Sequence, residues 1–310
     1  MFSGSIVALV TPFTIDNQID VSALKHLIEW HIAEGSNGIV LAGTTGESAT
    51  LSVAEKVLLA KTAVKIADKR IFILVGNGSN NTAESIELTK QLNNTGINGY
   101  LTITPYYNMP TDAGLIAHFS AIAAATPLPI VLYNVPSRTL CDLSNEIVLE
   151  LAELINVVGI KDATADLPRM VILKSKLKEK NITNFSLLSG DDSSAVDFCL
   201  AGGNGVISVT ANVAPAEVAK IQYLLQFSSL EAENSQALVE ARTIDKHLAS
   251  LHQALFIESN PIAVKWALFW MNKLTNANLR LPLLSLSKKS QLSLQQTLKD
   301  SGIKQYLQEY

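Results

Sequence analysis

Eight short apolar segments, each bounded by turn-forming residues and followed by a stretch long enough for a helix, constrain this chain more than any other feature. They lie at 4–10, 37–42, 71–76, 98–104, 129–133, 156–161, 184–189 and 204–209. Runs such as IVLAG (39–43) and IFILVG (71–76) are apolar throughout rather than alternating, as expected of parallel strands covered on both faces. Between them lie helical segments, of which 52–68 is the clearest: Ser52 and Glu55 form a capping box, and Val53, Val57, Ala60, Val64 and Ala67 share one face. Alternating β and α units with buried strands imply an α/β fold on a parallel sheet, and a count of eight favours closure into a (β/α)8 TIM barrel over an open doubly wound sheet.

After the eighth segment the pattern changes. No glycine occurs between Gly205 and Gly302, and apolar residues recur at helical spacing through IQYLLQF, LVEARTIDKHLASLHQALF and IAVKWALFWM, punctuated by Pro261 and Pro282. The expected organisation is a catalytic barrel over 1–225 and a C-terminal helical region over 226–310 that packs on the barrel or on another subunit. At 310 residues and 48% hydrophobic, the chain is long enough for a barrel of roughly 250 residues plus such an appendage.

Charge excludes some partners. With 17% charged residues and a net charge of −4, no basic field exists to hold nucleic acid or an anionic membrane. The apolar run Ile6–Val10 has neither a basic leader nor a cleavage site and falls far short of the roughly 18 apolar residues of a membrane span, so a soluble cytoplasmic protein is expected. Cys141 and Cys199 have no cysteine at metal-ligand spacing and read as packing residues. The histidines at 26, 31, 118, 247 and 252 form no HExxH pair, so no metal is expected.

In a barrel the site forms at the C-terminal ends of the strands. The polar residues expected there are Thr44 and Thr45, Tyr106 and Tyr107, Tyr133 and Asn134, Lys161 and Asp162, Gly190 and Asp191, and Ser208. Lys161 closes the run NVVGIK and is the only lysine at the C-terminal end of any predicted strand. Attack on a carbonyl needs a neutral amine, and burial disfavours a charged one. The plain alternative is a lysine that reaches solvent or pairs with Asp162. Tyr133 closes the neighbouring run PIVLY, which puts its phenol beside Lys161, where it can shuttle protons; otherwise it only caps the core. The GTTGE segment (43–47) offers small residues and hydroxyls suited to a carboxylate, or serves only as a tight turn, with Glu47 a helix-start carboxylate. GNGSNN (76–81) lacks the third glycine and the lysine of a phosphate loop and reads as a helix start, with Asn81 the N-cap and Glu84 a helping carboxylate.

Seven segments together carry a resemblance: GSIVALVTPF (4–13), GTTGESATL (43–51), TPYYN (104–108), LYNVPSRT (132–139), GIKDAT (159–164), LLSGDD (187–192) and GVISVTANV (205–213). On these the chain resembles the dihydrodipicolinate synthase family over nearly its whole length. The resemblance implies condensation of pyruvate with L-aspartate 4-semialdehyde on the way to diaminopimelate and lysine. Lys161 would be the Schiff-base nucleophile and Tyr133 the proton donor and acceptor, in a relay with Thr44 and with Tyr107 from a neighbouring subunit. Thr45 would hold the pyruvate carboxylate, the Ile207 carbonyl would line the pocket, and Arg138 would bind the semialdehyde carboxylate with its planar fork. No metal or organic cofactor is implied, and a homotetramer of two tight dimers is.

Relatives on the same scaffold, the sialic acid lyases and other pyruvate-dependent aldolases, would keep the lysine and tyrosine, and Arg138 argues against them. A catalytically silent keto-acid-binding barrel would lose one of the pair. The family's L-lysine feedback site corresponds to Ser48, Ala49, Asn80, Glu84 and Tyr106. Val53 and Lys56 depart from the inhibited pattern, which carries histidines there. Lys56 would set a cation beside a cationic effector, so weak or absent inhibition is expected.

Overall fold

The computed structural model describes residues 2–226 and 235–303. Eight strands close a barrel in sequence order: β1 Gly4–Ala8, β2 Gly38–Leu41, β3 Phe72–Gly76, β4 Gly99–Ile103, β5 Ile130–Asn134, β6 Val157–Asp162, β7 Ser186–Ser189 and β8 Gly205–Ser208. Every neighbouring pair is parallel, and β8 returns to β1 with Ile207 opposite Ile6. All eight predicted strands are present: six are shortened by one or two residues where the chain leaves the ladder, and β5 and β6 keep their predicted length but start and end one residue later.

Their unbroken hydrophobicity has a simple cause: every strand except β6, whose apolar residues Val157 and Ile160 belong to the outer core alone, feeds two cores. Ile6, Val40, Leu74, Leu101, Val131, Leu188 and Ile207 fill the barrel interior. Their sequence neighbours Val7, Ile39, Leu41, Ile73, Val75, Leu132 and Leu187 face the helices that surround it. Alternation is therefore present as a choice between two apolar environments rather than between core and water. Truncating any of the leucines or isoleucines among these to alanine would cost about 2–5 kcal/mol.

Helix Val53–Ala67 follows the expected capping box, Ser52 Oγ accepting from the Glu55 amide and Glu55 Oε2 accepting from the Ser52 amide at 2.8 Å. Its buried stripe differs from the expected one. Leu59, Ala60, Ala63 and Ala67 face the barrel, while Val57 and Val64 are half-buried and Val53 is exposed. The helix carries two apolar stripes, and the one rich in alanine lets the helix approach the strands most closely.

Beyond β8, helix Pro215–Gln226 completes the ring, and helices Gln236–Ala254, Ile262–Trp270 and Lys288–Asp300 pack onto the barrel as part of the same outer core through Leu248, Leu251, Ala263, Val264, Leu294 and Leu298. The expected boundary after residue 225 falls in the last turn of Pro215–Gln226, and the expected helical region also takes in residues 227–234 and 304–310, outside the described ones. Among the described residues no helix is long and apolar enough to cross a membrane, and no group of three or more His, Cys, Asp or Glu is placed to hold a metal ion.

Candidate active site

Strand register builds the centre of the site. Tyr133 on β5 and Lys161 on β6 are direct partners across the ladder, so both side chains emerge from the same face into the top of the barrel. Lys161 is 5% exposed and its Nζ sits 4.3 Å from the centroid of the Tyr133 ring. Among the described residues its amine makes neither a hydrogen bond nor an ion pair.

Asp162, the alternative partner, points the other way. Its carboxylate accepts from the Thr164 amide at 2.8 Å and lies 3.7 Å from Arg169 Nε. Burial pushes this carboxyl above its ordinary range, against the pull of Thr164 and Arg169. Arg169 in turn forks onto Asp142 at 2.8 and 2.9 Å, and Asn134 donates to Asp142 at 2.7 Å. The residues that follow Tyr133 and Lys161 in sequence thus form a scaffold outside the barrel, which leaves the inward lysine unneutralised.

Gly190, at the end of β7, supplies the space. A Cβ there would stand 2.8 Å from Ala163 Cβ and 3.0 Å from Lys161 Cε, so only glycine leaves the lysine stem its present course. Asp191 accepts from the amide and hydroxyl of Ser194 and is structural. The buried Asp192 accepts from Ser208 Oγ at 2.5 Å and from the amides of Val209 and Thr210, fixing the chain just beyond Ile207.

The GTTGE segment lies across the barrel mouth. Thr44 is half-buried; Thr45 is buried and its Oγ1 accepts from Asn260 Nδ2 at 3.0 Å. A Cβ on Gly46 would stand 2.9 Å from the Ala42 nitrogen, so the turn closes tightly on itself. Glu47 is not a helix-start carboxylate. Its backbone is left-handed (φ 56°), its side chain caps nothing, and the carboxylate is buried 2.5 Å from Lys265 Nζ of the C-terminal region. Sequence reasoning missed both Asn260 and Lys265, whose only local signal is a polar pair within the otherwise apolar NPIAVKWALFW.

Three further candidates lie at the rim. Tyr107 is 86% exposed in a left-handed backbone conformation (φ 76°), costly for an aromatic residue. Tyr106 is partly exposed beside it, and the loop is tied down by Asn108, which donates to the Asn80 carbonyl at 2.8 Å. Arg138 stands exposed on the short helix Pro136–Thr139, and its guanidinium makes no hydrogen bond or ion pair among the described residues. Around the next helix start Asn81 is the N-cap as expected, and Glu84 accepts from Ser79 Oγ and Asn81 Nδ2, each at 3.1 Å. Lys56 is half-buried; burial pushes its amine below the usual lysine range while Glu84 pulls it back up.

A buried lysine near the C-terminal end of a barrel strand, packed on a tyrosine ring and unpaired among the described residues, is chemically able to trap a carbonyl. The model of the dihydrodipicolinate synthetase family matches residues 1–301. The chain belongs to this family. It is 45% identical over 303 residues to the 4-hydroxy-tetrahydrodipicolinate synthase of Pseudoalteromonas atlantica, covering 98% of this chain and 99% of that one. The enzyme of the same name from Shewanella frigidimarina matches with the same identity and coverage. Among solved structures, the dihydrodipicolinate synthase of Acinetobacter baumannii complexed with pyruvate superposes with a TM-score of 0.91 at 45% identity, over 98% of this chain and 100% of that chain.

Proposed function

We propose that this chain is a 4-hydroxy-tetrahydrodipicolinate synthase, which condenses pyruvate with L-aspartate 4-semialdehyde through a Schiff base on Lys161. The observation that carries the reading is the unpaired Lys161 amine, buried against the Tyr133 ring.

Nζ adds its lone pair to the keto carbon of pyruvate, and the carbonyl oxygen takes a proton to give a carbinolamine. Loss of water leaves the imine. Tyr133, whose ring packs on the amine and whose phenol is a proton donor and acceptor, is suited to give and recover these protons. Loss of a C3 proton converts the imine to an enamine, whose C3 attacks the aldehyde carbon of the semialdehyde. The amino group of that second substrate then adds to the imine carbon and expels Lys161, closing the six-membered ring. The imine is itself the electron sink, so the reading calls for no metal and no organic cofactor. Thr45 is assigned to the pyruvate carboxylate, with the Ile207 carbonyl lining the pocket, and Arg138, whose fork is free among the described residues, to the carboxylate of the semialdehyde.

Thr44 and Tyr107 complete the proposed relay. The exposed, strained placement of Tyr107 supports its donation to the site of a second copy, and with it a homodimer as the smallest active unit and a tetramer of two such dimers as the full assembly. As a biosynthetic enzyme acting on a central keto acid, it would work in the cytoplasm.

Feedback by L-lysine is proposed to be weak. Glu84, the carboxylate that would receive a cationic effector among Ser48, Ala49, Asn80 and Tyr106, is already engaged by Ser79 and Asn81 and faces the Lys56 amine. Titration with L-lysine should leave activity unchanged across the micromolar range, and an inhibition constant in that range would refute the proposal.

Borohydride reduction in the presence and absence of pyruvate, followed by mass spectrometry of peptides, tests the chemistry. A pyruvyl adduct on Lys161 is expected. No adduct, or one on another lysine, overturns the mechanism.

A further inference from the structure

The segment from Thr44 to Thr50 is gripped at three points by residues more than 200 positions away. Asn260, itself buried, donates to Thr45 Oγ1 at 3.0 Å. Lys265, 1% exposed, holds Glu47 Oε1, while the backbone amide of Arg280 donates to Glu47 Oε2 at 3.1 Å. The Arg280 guanidinium reaches the Thr50 carbonyl at 2.8 Å and pairs with Glu55. Phe13 packs against both cations, its ring centroid 4.0 Å from Lys265 Nζ and 4.4 Å from the Arg280 guanidinium carbon.

Stability alone is a poor reason for this arrangement. A fully buried ion pair gives up two hydration shells, and well-packed apolar residues of the same volume serve a core as well or better. A charged hydrogen bond does fix distance and direction, which apolar packing leaves loose. What it fixes here is a glutamate in a left-handed conformation two residues beyond Thr45, a backbone state that persists only when its surroundings over-determine it.

We infer that Asn260 and Lys265 are positioning residues, through which the C-terminal helical region sets the geometry of the threonine loop and hence of the pyruvate-carboxylate subsite. The inference rests on the proposed function, and it gives the C-terminal helices a part in catalysis although none of their residues is assigned to the reacting atoms.

Two variants test it. Asn260→Ala removes one neutral hydrogen bond and leaves every charge paired. The double variant Glu47→Gln with Lys265→Met removes the ion pair without stranding a buried charge. The unmutated protein is first trapped with pyruvate and borohydride; failure to label Lys161 at that stage defeats the proposed function itself. Given labelling, both variants should melt cooperatively and still form the adduct, with the KM for pyruvate raised about tenfold, the loss expected of one well-placed hydrogen bond. The KM for the semialdehyde, bound at the opposite rim by Arg138, should stay within about twofold. The inference is overturned if Asn260→Ala folds and keeps the parental KM for pyruvate, or if its loss falls equally on both substrates, as a merely structural defect would.

Discussion

The two sides of the barrel mouth are built on different principles. On the β5–β6 side, adjacent strand partners carry Tyr133 and Lys161, and backbone register alone places one against the other. On the β2 side, Thr44 and Thr45 lie beyond the end of the strand on a turn held from outside by Asn260, Lys265 and Arg280. A strand-borne pair is as rigid as the sheet beneath it. A loop-borne pair is only as well placed as its anchors.

The largest effect that sharpens this contrast comes from the strand side. Lys161→Met should abolish adduct formation and lower kcat by at least about 10³-fold, with an unchanged melting temperature. Tyr133→Phe keeps the ring and loses the phenol, and should lower kcat by about 10²–10⁴-fold while Lys161 can still be trapped, more slowly. Gly190→Ala comes next. The added methyl meets Ala163 and the Lys161 stem, so it should displace the amine and lower kcat/KM by about 10²-fold, at a stability cost of about 1–3 kcal/mol read from denaturant unfolding. Parental activity in this variant would show that the lysine is not held where register puts it, and would remove the rigidity claimed for the strand side.

Smaller effects should come from the anchors, through pH. Glu55 is held down to about 2, chiefly by its hydrogen bonds from Arg280. The folded value lies below the ordinary 4.5, so the stabilisation is present above pH 4.5 and is lost as pH falls toward 2. Partial exposure to water keeps it modest, and Arg280→Met should flatten that limb of the stability–pH curve. Lys265 has the opposite sign. Burial pushes it from 10.5 to about 8 despite the pull of Glu47, so between these values the folded chain binds fewer protons than the unfolded one and stability contributed by this group rises with pH. Over the same range the ion pair discharges. The KM for pyruvate should therefore climb above pH 8 with no matching fall in melting temperature, and the climb should vanish in the Glu47→Gln, Lys265→Met double variant.

This division also explains what could be read from the sequence. Continuous apolar runs announced all eight strands, and a lysine and a tyrosine at the ends of neighbouring runs had to meet once the barrel closed. Local patterning worked less well where two solutions were both apolar, as on helix Val53–Ala67, where alanine stripes pack closer than valine stripes. It failed for Glu47, because nothing within thirty residues of GTTGE reveals a partner 218 positions away. Long-range polar contacts leave no periodicity, and Asn260 and Lys265 lie in a segment whose apolar neighbours suggest only core.

Those separations have a consequence in time. Thr45 and its anchor Asn260 are 215 residues apart along the chain. At a synthesis rate of about 5–20 residues per second, the threonine turn leaves the ribosome on the order of ten seconds or more before the side chain that fixes it exists. The strands that carry Lys161 and Tyr133 are therefore synthesised in full before Asn260 exists, whereas the turn that carries Thr45 must wait for a segment made well after β8.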